Sequence, residues 1–119
     1  MRNAALKSGL YDASDTTIRS ERSIEYQAFA KATSALVMYK KRGVSDYGEL
    51  AEIIHRNRQL WNVLGKDVLL EGNELPSELR ASIFSLSQFV AQHSAKVLKD
   101  EASLDTLVEL NKTIMRGLG

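Results

Sequence analysis

The chain has 119 residues, 44% hydrophobic and 26% charged, a balance that fits one globular domain and excludes wholesale disorder. A formal net charge of +1 is too small to build a strong field for nucleic acid or an anionic membrane. The absence of cysteine excludes disulfide frameworks, thiolate zinc sites and cysteine catalysis. No apolar run approaches the ~20 residues that span a bilayer. The first ten residues lack the apolar stretch of a secretory signal, so the expected location is the cytoplasm.

One proline and seven glycines make a helical composition, and the apolar spacing agrees. The predicted fold class is all-α: a small bundle of three long helices plus one short C-terminal helix. Residues 1–16 read as a mobile N-terminal arm, with Leu6, Leu10 and Tyr11 as its docking candidates, and residues 17–119 as a single helical-bundle domain. The first helix is expected from about Thr17 to Arg42, with Ile24, Ala28, Ala32, Ala35 and Tyr39 recurring every three or four residues. Phe29, Leu36 and Val37 widen that stripe. Gly43 closes the helix after "YKKR", whose positive charges suit the negative end of the helix dipole.

A second helix opens at Asp46, where "DYGE" has capping-box spacing. Leu50, Ile54, Asn57, Trp61, Leu64 and Val68 fall on one seam, and "EGNELP" stops it with Gly72 and Asn73 as left-handed positions. The third helix starts at Pro76 or Ser77, because proline suits a first turn. Its expected seam is Leu79, Ile83, Leu86, Val90, His93 and Val97, in near-heptad order, with Phe84, Ala91, Ala95 and Leu98 as a second stripe. The fourth helix begins near Ser103, carries Leu104, Leu107, Leu110, Ile114 and Met115, and ends at Gly117. The expected core is Asn57, Trp61, Leu64, Leu79, Ile83, Leu86 and Val90. Trp61 reads as a core anchor, with Asn57 one turn earlier setting helix register.

No catalytic residue, cofactor site or metal site is expected. His55 and His93 lie on different helices, and neither has a carboxylate or second histidine four residues on. The acidic residues read as solvated helix faces. No serine sits in a Gly-x-Ser-x-Gly turn, and no phosphate-cradling glycine loop is present. "KKR" at Lys40–Arg42 is too short for a nucleic-acid patch and lacks interleaved aromatics apart from Tyr39. The glycosylation-like "NKT" at Asn111–Thr113 reads as chance in a cytosolic chain.

Three segments, in order, carry a resemblance. They are "NRQLW" at Asn57–Trp61, "LPSELRASIFSLSQFVAQHSAKVL" at Leu75–Leu98, and "LDTLVELNKTIMRGL" at Leu104–Leu118. Together they resemble the FlaF family, small flagellar regulatory proteins found with the flagellin genes of alphaproteobacteria, over about residues 18–118. The resemblance implies a cytosolic factor that assists flagellin secretion and works with a companion regulator, FlbT, on flagellin synthesis. Flagellin is then the expected partner, with FlbT and the flagellar export apparatus beside it.

A chaperone for flagellin would cover an amphipathic helix of its client in a groove. Helices one and three carry more apolar surface than one seam needs, and Phe29, Val37, Phe84 and Leu98 are the surplus. Each also fits a core position, since a bundle helix contacts two neighbours. Arg58 and Arg80 are the candidate rim contacts. Two other readings stay open: direct binding of flagellin mRNA, which the small net charge disfavours, and action through FlbT alone.

Overall fold

The computed structural model describes the backbone of residues 14–118 and the side-chain surroundings of residues 25–117. Four helices follow one another: α1 Ser14–Arg42, α2 Tyr47–Asp67, α3 Ser77–Leu98 and α4 Asp105–Leu118. Among the described residues there is no strand. α1 begins at Ser14, so residues 14–16 of the expected arm are helical. The rest of the arm lies outside the described residues.

Each helix end follows from local chemistry. Gly43 takes φ +68° and ends α1, its N–H donating to the Lys40 carbonyl. Asp46 caps α2: its Oδ1 accepts from the Glu49 N–H at 3.1 Å. The Tyr39 hydroxyl bridges the turn, donating to the Asp46 carbonyl and accepting its N–H at 3.0 Å. Arg42 lies over the Tyr39 ring and pairs with Glu49, which locks the α1–α2 corner. α2 stops at Asp67 without the left-handed residues expected at Gly72 and Asn73. There the Asn73 side chain does the work, donating to Asp67 and accepting the Leu75 N–H at 3.0 Å. The left-handed residue falls instead after α3, at Asp100 with φ +61°, where the Glu101 N–H reaches back to the Lys96 carbonyl.

The helices close a ring in which α1 touches α2 and α4, and α3 packs on α2 but meets α4 over only a short stretch. Lys40 on α1 donates to Asp105 at the start of α4, 2.5 Å away. Inside the ring lie Phe29, Leu36, Ile54, Trp61, Leu64, Val68, Ile83, Val90, Val97, Leu107 and Val108. Trp61 is wholly buried and meets Phe29 edge-to-face at 5.6 Å.

Trp61 is also the end of a buried polar chain. Its Nε1–H donates to Asn111 Oδ1 at 2.8 Å. Asn111 Nδ2 donates in turn to Asn57 Oδ1 at 2.7 Å and to Thr33 Oγ1 at 3.0 Å. Thr33 Oγ1–H donates in turn to the Phe29 carbonyl at 2.7 Å. Three helices are thereby tied through one asparagine of α4, which fixes register as buried polar groups do when they are satisfied. Asn57 Nδ2 is left buried without a partner among the described residues.

The seam of α3 differs from the expected one. Its buried line runs through Ile83, Ser87, Val90, Ser94 and Val97. Leu79 lies within the same arc, one turn before Ile83, but in the first turn of α3. Leu79, expected in the core, is 45% exposed. Leu86 packs at the margin of the core, and His93 sits half-buried with its Nε2 2.9 Å from the Ser103 carbonyl. The physical reason is close approach. A methyl on Gly65 of α2 would lie 2.9 Å from Ser87 Cβ, so small residues occupy the line where the two helices meet.

Candidate functional site

The side of α1 next to its core stripe carries alanine. Ala28, Ala32 and Ala35 follow helical spacing one position away from Phe29, Thr33 and Leu36, which point inward. Because alanine reaches no further than its methyl, α1 leaves a trough where it runs beside α2. The opposite wall is Ile53, Leu60 and Val63 of α2. The groove so formed has a volume of about 710 Å³. Its length is about 10 Å along α1 and about 21 Å along α2, or two to four helical turns.

Charged residues rim this apolar floor: Lys31 on α1 and Glu49, Glu52 and Arg56 on α2. Glu49 is held by Arg42, whose guanidinium is made still more basic by that hydrogen bond. Glu52 is held by Arg56 at 3.1 Å. Lys31 has no ion pair or side-chain hydrogen bond among the described residues. The rim therefore has three charges already answered by neighbours and one ammonium that is not.

None of the six residues selected from sequence as partner contacts lines this groove. Phe29 is corrected to the core, 2% exposed beneath Trp61, because a large ring loses most water contact facing inward. Phe84 and Leu98 are half-buried against the core. Val37 is exposed but lies beyond the groove. Arg58 flanks the buried Asn57 on the far side of α2 from Arg56. Arg80 lies on the inner line of α3, where one guanidinium nitrogen is 3.5 Å from the Val68 carbonyl and Nε is buried without a partner among the described residues. Of the expected core, Asn57, Trp61, Leu64, Ile83 and Val90 are buried.

Sequence reasoning missed the alanine floor, Thr33 and Asn111. An alanine run beside a line of large residues was the available signal for the floor. For Asn111 the signal was its place on the Leu104, Leu107, Val108, Asn111, Met115 face of α4.

Among the described residues no group of three or more His, Asp or Glu side chains stands together to hold a metal ion. No helix of the described residues is long and apolar enough to cross a membrane. Fold and groove together define a small helical-bundle protein with an apolar trough on one flank. Residues 7–118 match the family model "Flagellar protein FlaF", nearly the whole chain, and the chain belongs to that family. Neither a curated protein nor a solved structure matches it.

Proposed function

We propose that this protein is a flagellar biosynthesis regulator that binds flagellin as a cytoplasmic secretion chaperone and couples flagellin synthesis to export. Membership of the flagellar FlaF family supports the pathway. The observation that carries the binding mode is the α1–α2 groove, with its floor of Ala28, Ala32 and Ala35 and its wall of Ile53, Leu60 and Val63. An amphipathic helix seats its i, i+3, i+4 and i+7 residues in such a trough. Covering an assembly helix of a client holds it monomeric and ready for export. Chaperone left free of client then reports how much flagellin has been exported, a feedback signal by mass action.

The test is titration calorimetry of the purified protein against monomeric flagellin, FlbT and flagellin leader RNA at two salt concentrations. Saturable, salt-tolerant binding to flagellin with a negative heat-capacity change is expected. Binding to RNA with steep salt dependence and none to flagellin refutes the chaperone and installs the transcript as the target. Binding to FlbT alone refutes it in favour of an adaptor.

A further inference from the structure

We infer that the guest of the α1–α2 groove is a single amphipathic helix of another protein, carrying a carboxylate that pairs with Lys31. This rests on reading the groove as the client site, and adds which chemistry the site selects.

Shape supplies the first half of the argument. The floor is made of methyl groups and the opposite wall of Ile53, Leu60 and Val63, so depth is available only on the α1 side. A guest fits when it brings large apolar side chains to the alanines, knob into hole, and keeps its backbone hydrogen bonds internal. A strand would leave its backbone groups unpaired over an apolar floor.

Charge supplies the second half. Arg42 answers Glu49 and Arg56 answers Glu52, which leaves Lys31 as the rim charge without an ion pair among the described residues. It stands beside Ala32, in the middle of the floor rather than at an open end. A guest acid one turn from its apolar stripe meets it; a guest base is repelled.

Another copy of the groove is excluded by shape, since two concave surfaces cannot fill each other.

The experiment uses the full chain and two labelled helical peptides of about four turns. Both present leucines at i, i+3, i+4 and i+7; one is flanked by glutamates and the other by lysines. Fluorescence anisotropy of each peptide should show the glutamate form bound about three- to fivefold more tightly, the size of one partly exposed ion pair. Lys31→Glu should invert that preference. Ala32→Leu fills the trough and should weaken both peptides about tenfold. Val63→Glu, at an exposed position of the wall, is a second blocking variant that leaves the core untouched. Equal affinity for the two peptides, failure to bind either, or indifference to both blocking variants overturns the inference. So does concentration-dependent self-association of the protein that Ala32→Leu abolishes, because the occupant is then a second copy. If the peptides behave as stated and flagellin does not bind, the helix specificity stands and the chaperone reading falls. If flagellin binds with undiminished affinity to Lys31→Glu and Ala32→Leu, the chaperone reading stands and this inference falls.

Discussion

Replacing Asn111 by alanine removes the hub of the buried polar chain, and its cost can be worked from the contacts. Trp61 Nε1–H loses its acceptor, and Asn57 Oδ1 loses its donor. Thr33 keeps its bond to the Phe29 carbonyl and loses only an incoming one. Two buried groups are thus newly stranded at ~1–3 kcal/mol each, and the vacated amide leaves a small void, giving a loss of about 3–6 kcal/mol. A domain of this length has roughly 6–18 kcal/mol in all, so the variant should unfold at markedly lower denaturant. Urea titration followed by far-ultraviolet circular dichroism measures the loss. Trp61→Phe strands the opposite end of the same bond, so the double variant should lose about 1–3 kcal/mol less than the sum of the singles. A loss under ~1 kcal/mol for Asn111→Ala, or strict additivity with Trp61→Phe, would refute the bond as a buried tie.

Gly65→Ala should destabilise by about 1–3 kcal/mol although alanine is the better helix former, since its methyl meets Ser87 Cβ. Adding Ser87→Gly should restore most of the lost melting temperature. Asp100→Gly should raise the melting temperature by a few degrees, because an aspartate held at φ +61° carries a left-handed strain of about 1 kcal/mol that glycine lacks. The Lys40 hydrogen bond holds the Asp105 carboxyl below its ordinary range. Its contribution is therefore complete above about pH 4, the unfolded value, and is lost as pH falls through the lower native one. Melting curves of Asp105→Asn should lie below those of the parent near neutrality and converge with them in strong acid.

The helices were readable because large apolar residues repeat on their faces: Leu50, Ile54, Trp61, Leu64 and Val68 of α2 are the plainest case. What failed was the assignment of faces, and it failed where residues are small. On α3 the apolar pattern pointed to Leu79, Leu86 and His93, but the inner line holds Ser87, which Gly65 approaches closely, and Ser94 two turns further on. On α1 the alanines read as bundle stripe and Phe29 as surplus. The bundle does the reverse, since the ring gains most from burial and the alanines leave the trough. Asn57 was recognisable as a polar seam residue because it lies in line with Trp61 on one helix. Its partner Asn111 sits on another helix, and no periodicity within one segment reveals a hydrogen bond between two.

Trp61 is the chain's single indole, and it is sealed inside the ring, away from the flank where a guest would lie. Its emission should stay blue-shifted and shielded from aqueous quenchers whether that flank is vacant or filled, and redden only when the bundle itself comes apart. The molecule thus carries a built-in gauge of its own intactness that is blind to visitors, so occupancy has to be read from a probe on the guest.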